Sequence, residues 1–154
     1  MILFALAALA ALALAAEPAL DVAVLRQLGA RDGFDCATLP VDSAADLARY
    51  TAPELRPPAV AVRAASCLVR RFPSEAEEIV TPWAADPLRA GLVLAVVDAS
   101  DHLAPDVAAR FAAAALVGAD PRARPRLERR LEARGLTRPS GAPEGPPTEA
   151  SVRD

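Results

Sequence analysis

Apolar residues recur three and four positions apart along most of this chain, which is the spacing of one face of an α-helix. Helical segments with this pattern are Leu20–Leu28, Val60–Phe72, Leu88–Val97, Val107–Val117 and a last one running from Asp120 to about Arg134. The segment 88–97 is apolar on nearly every side, which predicts the central buried helix. No stretch alternates apolar and polar residues as a half-buried strand would. The sequence therefore predicts an all-α fold.

Residues that open helices stand at several of the expected boundaries. Ser43 and Ser74 each precede an acidic residue by three positions, the pattern of a capping box. The first predicts a short helix reaching about Tyr50, and the second predicts a helix capped by the serine. Asp86 and Asp120 each precede a proline, so we expect N-cap aspartates with proline at the first helical position.

An apolar run opens the chain and indicates export. Residues 2–16 carry no charge and no polar side chain, and as a helix they would span roughly 22 Å, short of the ~30 Å hydrocarbon core. Ala13 and Ala15 supply the small residues that precede a signal cleavage site. We expect a signal peptide over 1–15 and a mature chain from Ala16, exported to the periplasm or secreted. Because no basic residue precedes the run, retention as a membrane anchor is the alternative.

The remaining chain has the length of one domain. Hydrophobic residues make up 53% and aromatic residues 4%, so the core must be built from Ala, Leu and Val. Tyr50 and Trp83 are expected to fill that core. We predict a helical domain over 16–135, closed by a glycine stop at its end, and a disordered tail rich in Pro and Gly over 136–154.

The predicted export bears on the state of the two cysteines. In an oxidising compartment, an even number of cysteines in a small domain favours a disulfide, and the one possible intramolecular pairing is Cys36–Cys67. The bond requires Cα atoms within about 7 Å. The alternative is two buried free thiols, because cysteine also serves as a small hydrophobic residue.

Three segments resemble one another and a known repeat. The range 62–68 reads Val-Arg-Ala-Ala-Ser-Cys-Leu, the range 86–92 reads Asp-Pro-Leu-Arg-Ala-Gly-Leu, and Asp-Pro-Arg-Ala stands at 120–123. These residues are similar to HEAT-like helical repeats, and the similarity covers about residues 58–134. The resemblance implies stacked antiparallel helix pairs and a protein-binding role. An irregular helical bundle is the alternative.

Charge is distributed unevenly along the chain. The formal net charge of −3 comprises −6 over residues 1–120, +5 over 121–138 and −2 beyond. In the last helix, Leu127 and Leu131 are expected to face the core. The exposed basic residues, which we expect to bind a partner, are Arg126, Arg129, Arg130 and Arg134. Export disfavours nucleic acid, so the expected target is a protein, with an anionic membrane surface also open. A solubilising cap on a helical stack is the alternative.

Chemistry-bearing residues are few. His102 is the only histidine and lies near Ser100, Asp98, Asp101 and Asp106. Neighbours in sequence do not make a catalytic triad, and the spacing matches neither a calcium-binding loop nor a zinc site. We therefore expect no catalytic residue, no metal and no cofactor.

These observations together predict a non-catalytic interaction module. The basic residues are all Arg, which is typical of a GC-rich bacterial genome, and export then places the protein in the bacterial cell envelope. An apolar-ligand or lipid carrier, built from the Ala, Leu and Val helices, is one alternative. A hydrolase with an unrecognised site is the other.

Overall fold

The computed structural model describes residues 19–32 and 34–137, and within them it contains helices and no strand. The prediction of an all-α fold is confirmed. The α-helices are α1 (Val22–Gly29), α2 (Ala44–Ala48), α3 (Pro58–Arg71), α4 (Pro73–Val80), α5 (Ala90–Asp98), α6 (Pro105–Gly118) and α7 (Arg124–Ala133). Short 3-10 helices lie at Cys36–Thr38, Arg49–Thr51, Thr81–Ala85, Pro87–Arg89 and Ser100–His102. The predicted signal peptide and all but the start of the predicted tail lie outside the described residues.

Helix α3 is the centre of the packing, and it contacts α1, α2, α4 and α5. Half of its residues are buried: Val60, Ala61, Ala64, Ala65, Cys67, Leu68 and Val69. The small side chains among them let neighbouring helices approach closely. Helix α5 is buried against α3, but the predicted central helix over 88–97 starts too early. Leu88 lies in a 3-10 helix and is 80% exposed.

The helices pack in chain order. Helix α3 contacts α4 and α5, and helix α5 contacts α6 and α7. Helix α6 contacts α7 and the 3-10 helix Thr81–Ala85 that extends α4. Most of these contacts therefore join helices that are neighbours in the chain or are separated by one other helix.

One of the two predicted capping boxes is confirmed in part and the other is wrong. The Ser43 hydroxyl accepts a hydrogen bond from the Asp46 backbone N–H at 3.1 Å, as predicted, and α2 follows. Helix α4 instead begins at Pro73, so that Ser74 lies inside its first turn. Proline is favoured at the first helical position because the N–H it lacks would be unpaired there.

The two Asp-Pro sites open tighter turns before their helices. The Asp86 carboxylate accepts from the Leu88 N–H at 2.9 Å, and Asp120 accepts from the Arg122 N–H at 2.8 Å. The α-helices begin only at residues 90 and 124. The aspartates are caps as predicted, but each caps a short turn that leads into the helix.

The predicted glycine stop of the last helix is confirmed. Gly135 has a φ of 68°, and its N–H donates to the Glu132 carbonyl at 3.0 Å. The Leu136 N–H donates to the Leu131 carbonyl at 2.9 Å, which completes a Schellman motif. Leu136, assigned from the sequence to the tail, packs partly buried against the core. The helical domain therefore includes Leu136, one residue beyond its predicted end at residue 135.

The disulfide Cys36–Cys67 is formed, as predicted. The two Cα atoms are 5.3 Å apart. The bond joins the 3-10 helix Cys36–Thr38 to the middle of α3, where Cys67 is completely buried. It thus fastens the loop between α1 and α2 to the central helix.

The two large aromatic residues lie in the core, as predicted. Tyr50 is 3% exposed and Trp83 is 6% exposed. The Tyr50 hydroxyl accepts from the Asp21 backbone N–H at 2.9 Å, which satisfies the polar end of the ring.

No single helix of the described residues is long and apolar enough to cross a membrane. Only the segments Pro73–Ala85 and Pro87–Asp98 would suffice together, and they are bent by 115°.

Candidate protein-binding surface

Helix α7 attaches to the fold through two leucines. Leu127 is 4% exposed and Leu131 is fully buried, and the helix contacts α5 and α6. Residues four apart lie on one face of a helix, so the two leucines fix which side of α7 faces inward. The predicted core-facing side is confirmed.

Arg130 and Arg134 lie on the flank of α7 next to this core face, because a helix turns about 100° per residue. Arg130 Nη1 donates to both carboxylate oxygens of Asp98 at 2.8 Å. Arg134 Nη1 lies 3.3 Å from Asp101 Oδ1. Both aspartates lie at or just after the end of α5. These two arginines, which the sequence analysis assigned to a partner, therefore already have carboxylate partners within the chain.

Arg129 lies on the side of α7 opposite the two leucines, and Arg126 lies on the exposed side between Arg129 and Arg130. Both are exposed, and neither side chain makes a hydrogen bond or an ion pair with a residue of the described part of the chain. Arg122 and Arg124, at the start of the helix, are exposed in the same way. We call Arg126 and Arg129 the basic face. Their charges are available to an external partner.

Other arginines of the fold donate hydrogen bonds to backbone carbonyls. Arg63 of α3 donates to the carbonyls of Leu28 and Ala30 at the end of α1, with the Leu28 distance 2.9 Å. Arg89 donates to the Thr51 carbonyl at 3.3 Å, at the end of the 3-10 helix that follows α2. The last carbonyls of a helix lack partners within it, and these guanidinium groups supply the missing donors.

Arg71 performs the same task for the loop that carries Cys36. Its Nη1 donates to the Cys36 carbonyl at 3.2 Å and to the Leu39 carbonyl at 2.8 Å, and its Nη2 donates to the Val41 carbonyl at 2.7 Å. The Leu39 and Val41 N–H groups also donate to the Cys36 and Leu39 carbonyls, so Arg71 adds a second donor to these two and supplies the donor for the Val41 carbonyl. The side chain of Arg71 therefore shapes the chain between α1 and α2.

Arg110 joins α6 to α4 through two carboxylates. It donates to Asp106 Oδ2 at 2.6 Å and to Glu77 Oε1 at 2.7 Å. The hydrogen bond from Arg110 holds the pKa of the Asp106 carboxyl below its ordinary value, because it stabilises the ionised form. The arrangement lies in solvent, where ion pairs contribute little to stability, and it links α6 to α4.

The loop around His102 brings Ser100, Asp101 and His102 together in one turn. Ser100, Asp101 and His102 form a 3-10 helix in which His102 Nε2 is 3.9 Å from Asp101 Oδ2. Asp98 and Asp101 accept instead from the arginines of α7, and Asp106 accepts from Arg110. Among residues 19–32 and 34–137, no three His, Cys, Asp or Glu side chains converge on a point where a metal ion could bind.

An apolar cavity lies where α5, α6 and α7 meet. Its volume is about 30 Å³, and its lining includes Ala90, Val93, Ala119 and Leu127. One or two water molecules would fill such a space. At Gly118, beside it, a Cβ atom would lie 2.2 Å from the Ala84 carbonyl oxygen, so the two chain segments touch there. This cavity is too small for a lipid chain or a comparable apolar ligand.

Comparisons with known proteins give no relative from which a role could be transferred. No family model, no curated protein and no solved structure matches the chain. The site must therefore be interpreted from its own residues.

Proposed function

We propose that this chain is a non-catalytic helical module that binds a protein partner with an acidic surface. The basic face of α7, Arg126 and Arg129, is the observation that supports this role. Arginines such as Arg63 and Arg71 donate hydrogen bonds to carbonyls within the fold. The guanidinium groups of Arg126 and Arg129 are instead exposed to solvent, on a helix whose other side is buried. Guanidinium groups bind carboxylates through paired hydrogen bonds.

The order of packing supports a module of the HEAT-like kind. Helix α3 packs on α4 and α5, and helix α5 packs on α6 and α7, so helices near one another in the chain lie side by side, as they do in stacked helix pairs. Arg63 and Arg89, which occupy matching places in two of the similar segments, each hold a carbonyl at the end of an earlier helix. In such a stack, α7 is the last helix of the described residues, and its outer side is available for recognition.

The location proposed for the module is the cell envelope. The disulfide Cys36–Cys67 points weakly to an oxidising environment, since such bonds persist mainly outside the cytosol. The apolar run over 2–16 supplies an export signal in this proposal. N-terminal sequencing of secreted or periplasmic material would show whether the chain begins at Ala16.

The proposal is tested by reversing the charge of the basic face. We would use the tagged chain as bait in an envelope extract and quantify captured proteins with the wild type, with R126E/R129E and with a matched control. The control is R26E/R31E, which makes the same charge change at two exposed arginines outside α7. We expect capture of a specific partner to fall at least tenfold for the α7 variant only, and to weaken with added salt.

Equal capture by the wild type and by R126E/R129E would refute the role of the basic face, and α7 would then be a solubilising cap. An equal loss in both charge-reversal variants would also refute it, because only the net charge would matter. Turnover of a substrate that is lost in His102→Ala would replace the proposal with an enzyme.

A further inference from the structure

A second basic surface lies along α3, beside the disulfide. It is a cleft of about 480 Å³ between α3 and the loop that carries Cys36. Its polar lining consists of Arg63, Arg70, Arg71, Ser66 and Asp35, and Phe34 closes one wall. Ligand pockets in proteins have volumes of roughly 300–1,000 Å³. We call this space the disulfide cleft, and it shares no residue with α7.

The disulfide cleft carries excess positive charge. Three arginines line it against one carboxylate, and none of the three forms an ion pair with a described residue. The Asp35 side chain accepts from the Ala37 N–H at 3.0 Å, so it serves as a cap for the 3-10 helix. Backbone carbonyls orient Arg63 and Arg71 but do not cancel their charges. The lining therefore favours an anion with two negative charges.

Two of the arginines are held in place before any ligand arrives. Arg63 is fixed by the carbonyls at the end of α1 and lies over the Phe34 ring, 5.2 Å from its centre. Arg71 is fixed by three carbonyls and lies 5.2 Å from the centre of the Phe72 ring. Each guanidinium keeps donor N–H groups that these bonds do not use. A binding site formed in advance loses less entropy when it takes its ligand.

Arg70 supplies the adjustable part of the cleft. It is exposed, and it makes no side-chain hydrogen bond within the described residues. It lies on the same rim as the Ser66 side chain, which offers a hydroxyl donor. A flexible guanidinium can close over an anion that the two fixed ones have received.

We propose that the disulfide cleft binds a phosphate monoester group. A phosphate dianion matches both the charge of the lining and the geometry of several guanidinium forks, which favour phosphate and carboxylate oxygens. A single carboxylate would leave the excess charge uncompensated. The group could come from a small soluble phosphate ester or from the headgroup of phosphatidic acid, and both present the same oxygens.

The test measures binding of inorganic phosphate to the full chain by calorimetry, with sodium chloride at equal ionic strength as the reference. The variants are Arg70→Gln, which removes the adjustable arginine, and Arg129→Gln, which makes the same charge change on α7. We expect phosphate to bind to the wild type and to Arg129→Gln alike. Loss of one charge-assisted contact should weaken binding to Arg70→Gln about tenfold or more.

Vesicles distinguish the two sources of the group. Retention on phosphatidylcholine vesicles containing phosphatidic acid, lost in Arg70→Gln but not in Arg129→Gln, would identify a lipid headgroup. Binding of free phosphate without such retention would identify a soluble ester. The proposal is overturned if phosphate and vesicles both fail to bind, or if the two variants weaken binding equally. Neither result would affect the basic face, which is tested separately.

Discussion

Arginines of α3 and arginines of α7 serve different purposes although both helices present them beside a buried apolar face. Arg63 and Arg71 of α3 donate to carbonyls of the preceding loop and helix end. The side chains of Arg126 and Arg129 in α7 make no hydrogen bond or ion pair with a described residue and are exposed. The first pair lies beside backbone carbonyls of an earlier loop and helix end, and the second lies on the outer side of the last described helix. Position relative to neighbouring backbone therefore decides whether an arginine has hydrogen-bond partners within the chain.

Among the changes near α3, removing the disulfide should lower the free energy of unfolding the most. The C36S/C67S variant frees the loop that Arg71 also holds, and the chain-entropy estimate for a loop of this length is about 3–4 kcal/mol of lost stability. Urea unfolding of the oxidised wild type and the variant measures it. A difference below about 1 kcal/mol would mean that Arg71 and the core alone hold the loop.

Replacing Arg71 should be the next most damaging change. Arg71→Gln removes three charge-assisted hydrogen bonds to backbone carbonyls, and we expect a loss of roughly 2–3 kcal/mol. The matched control is Arg70→Gln, the adjacent exposed residue, which should change stability by less than about 0.5 kcal/mol. Equal unfolding free energies for the two variants would show that the carbonyl contacts contribute nothing to the fold.

Arg130 tests the boundary between the two kinds of arginine. Arg130→Gln breaks the ion pair with Asp98. In that pair the Arg130 side chain is 46% exposed and the Asp98 side chain is 37% exposed. Exposed ion pairs contribute little, so we expect a loss of about 0.5 kcal/mol that shrinks in high salt. Thermal unfolding at low and high salt measures this change. A loss as large as that of Arg71→Gln would place Arg130 among the arginines that hold the fold.

The smallest effect on stability should come from the basic face itself. R126E/R129E removes no side-chain hydrogen bond or ion pair with a described residue, so the free energy of unfolding should change by less than about 0.5 kcal/mol. Circular dichroism and urea unfolding check this. A marked loss of helix would show that these arginines support α7, and reduced partner capture could then not be assigned to a lost contact.

The helices themselves were predictable because local sequence sets the periodicity of apolar residues. Their starting points were less so. At Ser74 the preceding proline takes the first helical position, and at Leu88 and Pro121 the chain makes a tight turn before the helix. The disulfide was predictable because the chain has only two cysteines.

Which arginines have hydrogen-bond partners within the chain was not predictable from the sequence. Arg71 and the Val41 carbonyl are 30 residues apart, Arg63 and Leu28 are 35 apart, and Arg130 and Asp98 are 32 apart. Only the fold brings these groups together. The sequence therefore grouped Arg130 and Arg134 with Arg126 and Arg129, and it did not identify the disulfide cleft.

Side-chain mobility tests the central claim most directly. NMR relaxation of the arginine Nε–Hε groups in the full chain reports motion on the picosecond to nanosecond timescale. We predict order parameters above roughly 0.6 for Arg63 and Arg71, which carbonyls hold, and below that value for Arg126 and Arg129. Similar order parameters for all four arginines would contradict the division into arginines that hold the fold and arginines that await a partner.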